Sequence, residues 1–138
     1  MDLLNEFLEK EDIRYFYHVT NTDCNEILEN GLYMVEKELY TTMIELPDEF
    51  YKDPISYSKG EKGMKGTYRE NGNLVIIGIA NEDINDAVRK VNYIPNEWNL
   101  DDRPNYYLPN EYILGYIDSD EEEFIFNEEF RYNDTYSI

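Results

Sequence analysis

Apolar residues fall into short runs along the chain, and the spacing of each run predicts its element. Leu3, Leu4, Phe7 and Leu8 recur at helical spacing, so residues 2–11 are expected to form a short amphipathic helix. Residues 13–19, Ile-Arg-Tyr-Phe-Tyr-His-Val, are rich in aromatic and β-branched residues and read as a strand. Thr22 or Asp23 is placed to cap a helix, with Glu26 completing a capping box after Asp23. Ile27 and Leu28 give that helix an apolar side, and Gly31 stops it. Leu32 to Val35 and Leu39 to Met43 are short strand candidates. Residues 47–58 form a helix that Pro54 breaks.

The second half reads with longer irregular stretches. Residues 58–73 hold four of the seven glycines together with Lys59, Lys62, Lys65 and Arg69, which predicts a flexible loop. Leu74 to Ala80 is nearly continuous in Leu, Val and Ile, as in a strand buried on both faces. Asp83 to Lys90 reads as one helical turn or two, and residues 92–110, with three of the five prolines, as a long loop containing Trp98. Glu111 to Ile117 is a strand, and an acidic turn from Asp118 to Glu123 leads to a last strand, Phe124 to Phe126. No repeat or linker divides the chain, so residues 1–138 are expected to form one α+β domain.

Composition narrows the class. The chain is 41% hydrophobic and 15% aromatic, too apolar for a disordered segment. No apolar run approaches the length of a membrane span, and the acidic start lacks the basic region of a signal peptide. With one cysteine, Cys24, an internal disulfide is impossible, and a small packing residue is the simplest role for it. A cytoplasmic protein with no membrane partner is the expectation. The net charge is −19, concentrated at the ends: residues 1–51 hold 13 acids against 3 bases and residues 101–138 hold 11 against 2. Such a surface repels a phosphate backbone, so nucleic acid is an unfavourable partner and a basic protein a favourable one. The Asp118–Glu123 run lacks the spacing and glycine of an EF-hand loop, and no metal site is expected.

One histidine, His18, lies in the aromatic run Tyr15-Phe16-Tyr17-His18-Val19-Thr20. A neutral imidazole offers one donor and one acceptor, which suits a ribose; tyrosines stack on heterocycles; Glu111 opens a strand after Pro109-Asn110, where its carboxylate would sit at a rim. Together these suit a ligand with a sugar and an aromatic base. On the residues alone, a satisfied structural side chain is the commoner role for a histidine placed like His18.

The order of the pieces resembles the ADP-ribosyltransferase fold of the His-Tyr-Glu type, shared by diphtheria-toxin-like toxins and poly-ADP-ribose polymerases. Tyr17-His18-Val19-Thr20, then Ile27, then Gly31-Leu32 is similar to its first element; Leu39-Tyr40-Thr41-Thr42, followed by Tyr51 or Tyr57, to its second; and Asn110-Glu111-Tyr112-Ile113 to its third. Val19 stands where the family usually has Gly, and the Glu-x-Glu pair of arginine-directed toxins is absent. The resemblance implies two packed, bent sheets with NAD, the substrate, in a cleft. It implies that His18 holds the adenosine ribose, with Thr20 beside it, and that the Val19 backbone pairs with the nicotinamide amide. Tyr40 and Tyr51 or Tyr57 would flank the ring, and Glu111 would hold the nicotinamide ribose, making His18, Tyr40 and Glu111 the catalytic set. The implied activity is mono-ADP-ribosylation of a protein target, as in a bacterial or phage effector. The alternative is an inactive acidic binding or inhibitor module on the same fold, directed at a basic protein.

Overall fold

The computed structural model describes residues 2–20, 24–35, 44–64, 73–91, 105–118 and 121–132. The expected strand at Leu39–Met43, with Tyr40, lies outside the described residues, as do the capping residues Thr22 and Asp23, the loop cations Lys65 and Arg69, and Trp98. The elements run in the order α1 (Asp2–Leu8), β1 (Ile13–Thr20), α2 (Cys24–Asn30), β2 (Leu32–Val35), β3 (Ile44–Glu45), α3 (Asp48–Lys52), α4 (Pro54–Met64), β4 (Asn73–Ala80), β5 (Arg89–Val91), β6 (Asn105–Leu108), β7 (Ile113–Asp118) and β8 (Glu123–Phe126). Two antiparallel sheets result: five strands in the order β3-β1-β4-β7-β8, and three in the order β2-β6-β5. The architecture is therefore α+β, with few and short helices.

The central strand β4 explains the layering. Its side chains alternate between two cores, as a pleated strand requires. Leu74 and Ile76 join a cluster with Leu4, Phe7, Tyr15, Tyr17, Phe50, Leu114 and Phe130. Val75, Ile77 and Ile79 join another with Phe16, Ile27, Leu32, Leu108 and Ile113. Helices α1, α3 and α4 cover the first face; α2 and the three-stranded sheet, through Leu32 and Leu108, cover the second. Burial on both faces is why Leu74–Ala80 reads as an unbroken apolar run. Between Ile76 and Ile77 the β4–β7 register shifts, because Leu114 is the extra residue of a bulge.

Three expectations are corrected and a fourth is narrowed. Residues 58–64 belong to α4 rather than to a loop, because Asp53 caps it: its carboxylate accepts the Ser56 backbone N–H at 3.2 Å and the Ser56 hydroxyl at 2.9 Å, with Pro54 at the first helical position. Those bonds hold the Asp53 carboxyl below the usual carboxylate range. Within 83–90 there is one helical turn and not two: the Asp86 and Ala87 N–H groups donate to the Asp83 carbonyl at 3.0 and 2.9 Å, after a 3-10 turn over Asn81–Asp83, and β5, which pairing with β6 (Arg89 opposite Tyr107) holds extended, follows. The loop expected across 92–110 contains β6 at 105–108, paired to β2 as well. Glu111 lies not on a strand but in the 3-10 turn Asn110–Tyr112 that delivers the chain into β7. The short edge strand β3 went unread; its pairing of Ile44 with Tyr17 and Glu45 with Phe16 is wholly non-local.

Candidate functional site

Two pieces of the motif, separated by about eighty positions, meet at Gly31. The residue has φ +85, and a Cβ there would collide with the Leu108 carbonyl oxygen and lie 3.0 Å from the Asn110 nitrogen. Only glycine closes helix α2 at this position while letting the backbone of the Glu111 segment approach so near. Gly31 N–H donates to the Ile27 carbonyl at 2.8 Å, and the Asn110 side-chain amide donates to the Leu28 carbonyl at 2.9 Å. The end of α2 and the turn bearing Glu111 are thus bonded into one unit.

Glu111 is one-third exposed and sits among charges. Its Oε2 accepts from Arg131 Nη1 at 3.2 Å; Arg89 Nη2 lies 4.0 Å from Oε1. Arg131 Nε also reaches Asp83 Oδ2 at 3.3 Å, and the Tyr132 hydroxyl donates to the same oxygen at 2.5 Å. The Arg131 guanidinium lies 5.8 Å from the centre of the Tyr112 ring, a cation–π distance. Burial, then the Asp83 carboxylate, pushes the Tyr132 phenol well above the usual tyrosine range. Burial likewise raises Tyr112, against the lowering effect of Arg131. Beyond Tyr132 opens a wide depression bordered by Lys10, Asp12, Asn81 and Glu82; no residue of the motif lines it.

His18 is half-buried on the second face, two positions along from Phe16. Its row crosses Val75 and Tyr116, whereas Ile113 is in the row of Ile77 and Phe16. Two strand positions, about 7 Å, separate those rows, two strand spacings, about 10 Å, separate β1 from β7, and Glu111 lies beyond Ile113. His18 on β1 and the turn that leads Glu111 into β7 thus flank the same central strand, at different heights. The Val19 backbone pairs with Leu74 and that of Thr20 with Asn73. Tyr51 lies on helix α3 and Tyr57 on helix α4. The Tyr57 hydroxyl donates to the Tyr17 hydroxyl at 3.1 Å and its ring sits edge-on to Tyr17 and Phe50, within the first core. Tyr51 is 44% exposed, as Ile44 also is in part, and partial burial, then Glu45 and Asp48, raises its phenol. The five-stranded sheet stands between the Tyr57 ring and the face of His18.

Asp83, Arg89, Asn127 and Arg131 escaped sequence reasoning. One signal was available for Arg131: it is one of only two bases in the acidic stretch 101–138. Among the described residues no cluster of three or more His, Cys, Asp or Glu side chains is placed to hold a metal, and no helix is long and apolar enough to cross a membrane. The geometry defines an α+β protein with a charged cluster at the head of β7. No family model, curated protein or solved structure matches the chain.

Proposed function

We propose that the protein is an NAD-dependent mono-ADP-ribosyltransferase acting on a protein target, with Glu111 as its catalytic carboxylate. The observation that supports this most is the contact of Gly31 with Leu108 and Asn110, which joins the close of the first motif element to the turn that presents Glu111. In this reading His18 grips the adenosine ribose and Glu111 the nicotinamide ribose. A pyrophosphate separates those two sugars in NAD, so His18 on β1 and Glu111 in the turn before β7 need not touch. Tyr40 flanks the nicotinamide ring. Of the two candidates for the second flanking ring, Tyr57 is packed in the first core, whereas Tyr51 is exposed.

The chemistry follows from charge. Breaking the bond between ribose and nicotinamide builds an oxocarbenium-like centre, which a fixed carboxylate stabilises. Glu111 Oε1 has Arg89 only at the outer limit of an ion pair, 4.0 Å, so it retains acceptor capacity for a ribose hydroxyl. The target's nucleophile, held in line, then takes the ribosyl carbon as nicotinamide leaves. With NAD labelled in the nicotinamide ring, the wild-type protein is expected to release label, and Glu111→Ala to lose about 100-fold or more in rate. Release at the same rate from both proteins defeats this assignment.

A second reading rests on a different surface. Ile44 and Tyr51 are exposed among Glu45, Asp48 and Glu49, and this acidic, partly apolar edge of β3 suits a basic protein, as in an inactive inhibitor or decoy. A complex that dissociates in salt and is formed equally by Glu111→Ala favours this reading over the enzyme.

A further inference from the structure

Residues 127–132, after β8, form a strap whose only cation, Arg131, lands on Glu111. Asn127 is buried and ties the strap down: its amide donates to the Asn110 carbonyl at 3.0 Å and the Ile113 carbonyl at 2.8 Å, and its backbone N–H donates to the Leu114 carbonyl at 2.9 Å. Three residues on, Phe130 enters the first core, edge-on to Phe7, and fills the space beside Gly78 where a Cβ would meet its ring at 2.9 Å. Arg131 is therefore presented from a fixed backbone. Its N–H donates to the Glu111 carbonyl at 2.6 Å and its guanidinium to the Glu111 carboxylate.

Asp83 completes the arrangement from the far side. It binds Arg131 Nε, and Tyr132, whose hydroxyl also accepts the Ala80 N–H at 2.9 Å, holds Asp83. Arg131 thus spans two carboxylates, and with Arg89 at 4.0 Å from Glu111 the cluster sets two acids against two bases. An ion pair that served stability alone would add little at this exposure, yet backbone, guanidinium, ring and second carboxylate all converge on this one side chain.

We propose that Arg131 is a positioning residue: held by Asp83 and the Phe130 anchor, it fixes the Glu111 carboxylate in the orientation that the transferase reaction requires. This inference rests on the transferase reading. Orientation of a reacting group is where small displacements cost most. The effect is therefore on the chemical step and not on NAD binding.

The test compares kcat and KM for nicotinamide release by the full chain and by Arg131→Gln, Arg131→Lys and Asp83→Asn, each with its melting temperature measured. Arg131→Gln is expected to lower kcat about 10- to 100-fold, with KM for NAD within about threefold. Arg131→Lys, which keeps the charge without the fork, is expected to recover part of kcat, and Asp83→Asn to fall between wild type and Arg131→Gln. A folded Arg131→Gln protein with unchanged or raised kcat overturns the proposal while the transferase reading survives, as does a change confined to KM. A loss of kcat that only tracks melting temperature across the three variants also overturns it. A wild-type protein that neither binds nor cleaves NAD fails the transferase reading itself, and the positioning role falls with it.

Discussion

The two faces of the five-stranded sheet are built from different materials. On the α1, α3 and α4 side the core is aromatic: Phe7 stacks on Phe126, meets Phe130 edge-on, and Tyr17, Tyr57 and Phe50 form an edge-to-face group. Phenols buried there find partners, Tyr15 on the Phe7 carbonyl and Tyr57 on Tyr17. On the other side the core is largely aliphatic, built on Val75, Ile77, Ile79, Leu32, Leu108 and Ile113. The aromatic face is closed by interlocking rings, whereas the aliphatic face is closed by a second sheet whose junction with α2 passes through Gly31. Half-buried His18 lies on the aliphatic face, and the Glu111 turn is joined to the same side by Gly31 and Asn110. The first face thus serves as foundation and the second as the side on which polar groups are presented.

Substitutions can break that contrast, and the largest effects are expected in the cores. Phe7→Ala removes a fully buried ring from the centre of the aromatic face and should cost about 3–5 kcal/mol. Ile77→Val, a smaller deletion in the aliphatic face, should cost about 0.5–1.5 kcal/mol. Urea unfolding of the two variants measures the difference, and equal losses would mean that the faces are not distinct in this way. Gly31→Ala comes next. A left-handed backbone costs an alanine about 1–2 kcal/mol, and the clash with the Leu108 carbonyl adds about 1–3 kcal/mol. Because the strain falls on the Glu111 turn, Gly31→Ala should, if the proposed transferase activity holds, slow nicotinamide release beyond its effect on the folded fraction.

Asn127→Ala is expected to be milder. It leaves the carbonyls of Asn110 and Ile113 without this donor, at about 1–3 kcal/mol, read from the shift in melting temperature. The smallest effect is on the pH dependence. Tyr132, Tyr112 and Tyr51 titrate higher in the folded protein than the ordinary tyrosine value of about 10, so the unfolded chain loses these protons first. Their contribution to stability is complete below about pH 10 and is lost as the pH rises through the folded-state values. Tyr132→Phe should therefore flatten the decline of stability above about pH 10. A decline as steep as in the wild type would show that Tyr132 has no part in it.

What could be read from the chain follows the same division. Leu74–Ala80 was legible because burial on both faces leaves a continuous apolar run, and β1 because its aromatics alternate between two cores. The break at Pro54 was legible, but the persistence of α4 through Gly60 and Gly63 was not, because Asp53 capping outweighs glycine's poor helix propensity. Strands β3, β5 and β6 are short and owe their conformation to partners distant in sequence, so no local pattern marks them. Of the candidate site, Gly31 and Glu111 stood out through motif order. The Asn127–Tyr132 strap did not, because its anchors, Asn110, Ile113 and Gly78, become neighbours only in the fold.

The most direct measurement is amide NMR of the isotopically labelled protein titrated with NAD. An NAD site on the aliphatic face should give saturable shifts along the His18–Val75–Tyr116 row and at Gly31 and Asn110–Ile113, with the Ile44–Tyr51 edge unmoved. Shifts confined to Ile44–Tyr51, or none at saturating NAD, would contradict that placement.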